Sequence, residues 1–148
     1  MNSQSVKLCL LTGLWSLSSC EVVRKFHYVT EKKTWTEAQS YCRNNYDDLA
    51  SLLNMEDISS LLKNPQLHMD RPNAQYAWIG LYDDPGNWTW SLNGTEHHTN
   101  THYSKWAVGQ PNEYTQAQIC TVMALSGNWK DNDCNVKRHS VCYDGGSL

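Results

Sequence analysis

Between Thr34 and Leu62 the apolar residues keep a helical period, and from Tyr76 onward they fall in short runs bounded by glycine, proline and asparagine. Trp35, Ala38 and Cys42 stand at i, i+3 and i+7, which gathers them on one helix face. That helix is predicted to begin at Thr34-Trp35-Thr36-Glu37, a capping box in which the threonine hydroxyl and the glutamate carboxylate each satisfy an orphan backbone amide. Asn54 caps a second short helix, with Glu56 and Asp57 in a first turn favoured by the helix dipole and Ile58, Leu61 and Leu62 as the buried stripe. Asn64-Pro65 stops it, because the residue before a proline is pushed out of the helical region.

Tyr76-Ala77-Trp78-Ile79-Gly80-Leu81 has the composition of a strand, and Trp88, Trp90 and Leu92 alternate at period two before the turn pair Asn93-Gly94. Both read as core strands. Residues 95–118 show little periodicity and much Thr, His, Asn and Gln, and so long a loop in a compact domain is either functional or disordered; a functional loop is the expectation here. Short strands follow at 119–125, 128–130 and 140–143.

A chain of 148 residues is one domain's worth of protein. The net charge of −3, with no basic stripe, argues against nucleic acid and against electrostatic membrane binding. Seven Trp and eight Tyr against one Phe suit wet loops packed on aromatic rings that keep a polar handle. Lys7 followed by the apolar run through Leu17 and then Ser18-Ser19-Cys20 reads as a secretory signal over residues 1–20, too short and interrupted to span a bilayer. The domain then occupies 21–148, extracellular and without a membrane anchor. Removing Cys9 and Cys20 leaves Cys42, Cys120, Cys134 and Cys142, an even set that reads as two disulfides, with three connectivities open to the sequence alone.

The order helix, helix, strands, long loop, strands is similar to a C-type lectin-like domain over residues 26–143. The marks are the helix 34–42, Trp78-Ile79-Gly80-Leu81, Trp88-Thr89-Trp90, and the closing run Trp129-Lys130-Asp131-Asn132-Asp133-Cys134 to Cys142. The resemblance implies an α+β fold in which two helices flank short antiparallel sheets. It also implies the pairings Cys42–Cys142 and Cys120–Cys134 and, with no further N-terminal cysteine pair, the short form.

In that family the long loop holds a calcium ion that also ligates two sugar hydroxyls. The matching positions here are Gln110 and Asn112 around Pro111, then Gln118, Lys130 and Asp131. Calcium takes six to eight oxygens, and carboxylates supply most of the affinity. A good binder of the family has glutamate at the position of Gln118 and asparagine at that of Lys130, so only Asp131 is anionic and an ammonium replaces an amide oxygen. The expected cofactor is therefore calcium, weakly held, with Glu113 as a substitute oxygen. Gln110-Pro111-Asn112 is a hybrid of the mannose-type and galactose-type motifs, and each amide can both donate and accept. Tyr114 offers a ring for the apolar face of a galactose-like sugar; an ordinary exposed loop tyrosine is the alternative. Carbohydrate contacts are thus expected at Gln110, Asn112, Tyr114 and Asp131.

His97, His98 and His102 read as a solvated loop rather than a metal site. Asn93-Gly94-Thr95 and Asn87-Trp88-Thr89 are glycosylation sequons, with Asn93 preferred over Asn87 beside its tryptophans. No triad order, nucleophile elbow or phosphate loop is present in the sequence, so no enzyme is read from it. The expected function is a secreted lectin for glycans, those of microbes included. A calcium-independent module for a protein or lipid ligand, with Lys130 in place of the metal's charge, and an ice-binding protein on the same fold stay open.

Overall fold

The computed structural model describes residues 24–69, 76–98, 102–112 and 118–145. The signal segment 1–20 and the loop residues Glu113 and Tyr114 lie outside the described residues. The elements, in order, are β1 (Lys25–Lys33), α1 (Trp35–Asn45), β2 (Asp48–Leu49), α2 (Met55–Leu62), α3 (Pro65–Met69), β3 (Tyr76–Asp84), β4 (Asn87–Trp90), β5 (Thr95–Glu96), β6 (Ile119–Ala124), β7 (Trp129–Asp133) and β8 (Arg138–Asp144).

The predicted caps form. Thr34 accepts from the Glu37 N–H at 3.3 Å while the Glu37 carboxylate accepts from the Thr34 N–H at 2.9 Å, and Asn54 Oδ1 accepts from the Asp57 N–H at 2.9 Å. α1 buries Trp35, Ala38 and Cys42, as its spacing predicts. α2 ends at Leu62, but Pro65 opens a further short helix rather than a coil, since a proline needs no N–H at the first helical position.

Strands β1, β8, β3, β4 and β5 lie side by side, with β2 on β8 and β6 joining β3 to β7. β3 and β8 run parallel, with Ala77 opposite His139 and Trp78 opposite Ser140, so the sheet is mixed; the remaining pairs are antiparallel. β1 pairs with β8 along most of its length and brings the two ends of the domain together. Cys42–Cys142 ties the same ends to α1, and Cys120–Cys134 joins β6 to the end of β7, the pairings the resemblance implied. Closing a loop with a separation of 100 residues stabilises by about 4–5 kcal/mol in the chain-entropy picture.

Period two along β3 divides the core. Trp78 faces Trp35, Ala38, Leu49, Val122 and the disulfides, while Ala77, Ile79 and Leu81 face Leu52, Ile58, Leu61, Trp90, Met123 and Trp129. Two buried indole N–H groups are satisfied, Trp35 Nε1 donating to the Ile79 carbonyl and Trp78 Nε1 to the Lys33 carbonyl, whereas those of Trp106 and Trp129 are buried with no hydrogen-bond partner among the described residues. Gly80 lies under the chain at Leu49 and Ala50, and a Cβ there would sit 3.1 Å from both carbonyl oxygens. Trp90 is a core residue, but Trp88 is only half-buried and Leu92 leaves the strand for a turn in which Asn93 and Gly94 both take positive φ, 64° and 59°.

Candidate functional site

The expected irregular loop between β5 and β6 is anchored on β7. Trp106 forms a parallel bridge to Trp129; the Trp129 N–H donates to the Lys105 carbonyl at 2.8 Å and the Ala107 N–H to the Trp129 carbonyl at 2.9 Å. A turn follows in which the Gln110 N–H donates to the Ala107 carbonyl at 3.0 Å, with Gly109 at φ 78°, a value a side chain would resist. The Gln110-Pro111 peptide is cis. Directly after it, the Asn112 N–H donates to Asp131 Oδ2 at 3.0 Å. The turn chemistry of the loop and the strand position of Asp131 thus bring Gln110, Asn112 and Asp131 to one place.

Asp131 is fully buried, Gln110 is half-buried and Asn112 is exposed. Gln110 Oε1 is buried with no hydrogen-bond partner among the described residues, a state that costs about 1–3 kcal/mol and that a donor on a ligand would relieve. Along β7, Trp129 and Asp131 lie opposite Met123 and Thr121, while Lys130 and Asn132 lie opposite Val122 and Cys120, so Lys130 leaves the strand on the other face from Asp131. Gln118 is exposed; its carbonyl accepts the Cys134 N–H at 3.2 Å, and it lines a cavity of about 230 Å³ with Trp35, Gln39, Tyr82 and Asp83.

These residues fit a resident calcium poorly. Among the described residues of the motif Asp131 is the one carboxylate, one of its oxygens already accepts a backbone N–H, and no cluster of three or more Asp, Glu, His or Cys side chains is placed to share an ion. Neutral amide oxygens from Gln110 and Asn112 add little charge to offset dehydration of a divalent ion.

The floor behind the loop is aromatic. Trp129 meets Trp90, Trp106 and Tyr103 edge to face at 5.7, 5.9 and 6.3 Å, and Trp88 lies 4.8 Å from Trp106. His97 belongs to this floor and not to a solvated loop. It is 5 % exposed, with its ring against Trp90 and Trp129, because the β4–β5 pairing continues through the His97 N–H to the Trp88 carbonyl at 2.7 Å. Burial pushes the His97 pKa below its ordinary 6.5, and His102 and His98 nearby push the same way. His98 and His102 are exposed, as expected of loop residues.

A mixed sheet flanked by short helices, stapled by two disulfides and carrying a loop laid along one strand, is the build of a lectin-type ligand-binding domain. The model of the Lectin C-type domain family matches residues 31–144, and the chain belongs to that family. It is 31 % identical to L-selectin of Bos taurus over 123 residues, which cover 80 % of this chain and 31 % of that protein. It is 30 % identical to E-selectin of Bos taurus, over 80 % of this chain and 24 % of that one. The chain thus spans less than a third of the length of these selectins. Among solved structures it resembles the cow C-type carbohydrate-recognition domain of CD23, determined in the presence of a GlcNAc2Man3 oligosaccharide, at 27 % identity and a TM-score of 0.67, covering 84 % of this chain and 90 % of that one. Human lithostathine, at 23 % identity and a TM-score of 0.68 over 86 % and 95 % of the two chains, shares the fold.

Proposed function

We propose that this protein is an extracellular lectin that binds glycans on the face formed by Gln110, Asn112 and Asp131, Tyr114 of the same loop sequence being the ring expected to stack on the sugar. The observation that carries this reading is the hydrogen bond from the Asn112 N–H to the buried Asp131 carboxylate, which anchors the loop motif, together with the Gln110 amide oxygen left without a donor. Membership of the Lectin C-type family and the oligosaccharide in the CD23 structure support glycan as the ligand class. Calcium adds at most a weak contribution in this reading, because among the described residues of the motif Asp131 alone supplies a carboxylate. No helix among the described residues is long and apolar enough to cross a membrane. Glycosylation is proposed at Asn93 in its turn and at Asn87, which is exposed as well despite its neighbouring tryptophans.

The second reading, a calcium-independent module for a protein ligand, is favoured by the same single carboxylate and by Lys130. A glycan array carrying galactose-type and mannose-type ligands, run in calcium and again in chelator, separates the two. Sugar binding that weakens only modestly in chelator is the expected result. Absence of binding to every glycan under both conditions would sink the lectin reading and leave the second one.

A further inference from the structure

The Asn93-Gly94-Thr95 sequon stands at the rim of a cavity. Asn93 and Thr95 both line a hollow of about 300 Å³ between the β4–β5 turn and the chain at Ser51 and Leu53, at the small end of the range of ligand pockets. Both residues are exposed, and φ 64° at Asn93 is a conformation that asparagine tolerates better than most side chains. A sugar attached to Asn93 therefore starts at the mouth of this hollow.

The lining is mixed in the way a pyranose needs, with apolar walls and a few polar groups. Leu53, Leu92 and the Trp90 indole supply the apolar part, and Leu53 is 44 % exposed, so a sugar's C–H face laid on it would remove apolar surface from water. Across the hollow Arg24 lies over the Tyr143 ring, 5.7 Å from its centroid. Its Nη1 donates to Asp57 Oδ2 at 2.9 Å, and a guanidinium with five N–H donors keeps others for a neutral carbonyl. Ser51 is 4 % exposed on the same lining, and its Oγ has no partner among the described residues; a hydroxyl can donate or accept there. A neighbouring cavity of about 360 Å³ shares Leu53, Trp90 and Thr95 and adds Glu96. With Asp57 on Arg24 and Glu96 next door, the charges favour a neutral, hydroxyl-bearing occupant over an anion.

We propose that the N-glycan of Asn93 folds back onto the chain that carries it: its first N-acetylglucosamine seats in this hollow, with its C–H face on Leu53 and Leu92 and its acetamido carbonyl accepting from Arg24. The covalent tether makes the contact intramolecular, so interactions too weak to hold a free sugar suffice to hold this one. The inference rests on the extracellular reading of the chain, since the sequon is used only on the secretory route. The seated sugar covers Leu53, ties the β4–β5 turn to the segment at Ser51, and closes the groove to other ligands. The face at Gln110, Asn112 and Asp131 is then left for glycans of other molecules.

The test uses the full oxidised chain carrying Asn87→Gln, so that Asn93 is the one remaining Asn-x-Ser/Thr sequon. It is made in animal cells restricted to high-mannose glycans and trimmed enzymatically to a single N-acetylglucosamine, and intact mass reports whether Asn93 carries it. An unmodified Asn93 defeats the glycosylation reading and the seat with it. The sugar-bearing chain is compared in urea unfolding with Thr95→Val, which keeps Asn93 in its turn and the shape of the β5 wall but removes the hydroxyl that the sequon requires. Its unfolding equilibrium constant should be smaller by about fivefold or more, and Leu53→Ser placed in both backgrounds should bring the two within about twofold, because groups in contact couple and distant ones do not. Should Leu53→Ser fail to fold, Leu92→Ser takes its place. Nuclear Overhauser contacts from the acetamido methyl to Leu53 or to the Tyr143 ring are expected in the same sample. In a chain whose mass shows the sugar, the absence of the coupling or of these contacts overturns the seat and leaves glycosylation at Asn93 standing.

Discussion

Asp131→Asn isolates the anchor of the ligand loop. The substitution keeps the size of a side chain that is 0 % exposed, so no cavity opens; it removes the charge and turns one acceptor oxygen into a donor amide. The bond at stake is the one from the Asn112 N–H to Oδ2 at 3.0 Å. A hydrogen bond to a charged acceptor contributes about 1.5–3 kcal/mol and one to a neutral acceptor about 0.5–1.5, so the anchor should weaken by about 1 kcal/mol. That corresponds to about a fivefold rise in the open population of the loop at Asn112. Global stability feels an opposing effect, because the neutral amide no longer bears the desolvation of a buried carboxylate, and the two should leave unfolding free energy within about 1 kcal/mol of the unmodified protein. Amide exchange at Asn112 measures the first quantity and urea unfolding the second. Exchange at Asn112 that does not change, or a rise shared equally by every core amide, would refute the assignment of Asp131 as the loop's anchor.

Gly80→Ala should destabilise by about 1–3 kcal/mol, since the new Cβ meets two backbone oxygens at 3.1 Å that cannot swing aside; thermal melts should fall by several degrees, and an unchanged melt would show that the layer yields. Because burial holds the folded pKa of His97 below the unfolded value of 6.5, the unfolded chain binds the proton first; stability should be intact above about pH 7 and decline as pH falls through 6.5 until the folded pKa is passed. His97→Phe should flatten that slope in urea midpoints taken from pH 7.5 to 5.0. Calorimetry should find calcium held no tighter than the millimolar range, and Lys130→Asn should improve it by about fivefold, or about 1 kcal/mol, since the substitution removes a cation that repels a divalent ion. Micromolar binding by the unmodified chain would show that other oxygens complete the shell.

The elements with local signals were legible in the sequence. Thr34 and Glu37 set the start of α1 through hydrogen bonds within four residues, and the spacing of Trp35, Ala38 and Cys42 set its buried face. β1 carries no such signal: Lys25-Phe26-His27-Tyr28-Val29 alternates only briefly before Thr30-Glu31-Lys32-Lys33, and the strand exists because β8, more than a hundred residues away, offers it a partner. The parallel β3–β8 pair is likewise a long-range choice. His97 and His98 look alike as neighbours in sequence, yet one is core and the other solvent. Their difference was available in principle from the Asn93-Gly94 turn, since carrying the hairpin register from Trp90–Thr95 through Thr89–Glu96 sets His97 opposite Trp88.

The site itself divides between a rigid half and a conditional half. Asp131 and Trp129 sit on a strand paired on one side with β6 and closed at its end by the Cys120–Cys134 disulfide, so their positions are set by the core. Among the described residues, Gln110 and Asn112 are held through their backbone N–H groups, which donate to the Ala107 carbonyl and to the Asp131 carboxylate. Each such bond contributes about 1–3 kcal/mol, comparable with the entropy of fixing one or two residues. A ligand that engages Gln110 and Asn112 therefore has to stabilise the loop as well as contact it, and part of its binding energy goes into that ordering. On the proposed reading, affinity at this face should respond to changes that never touch the ligand: the packing of Trp106 on Trp129 and the turn at Gly109.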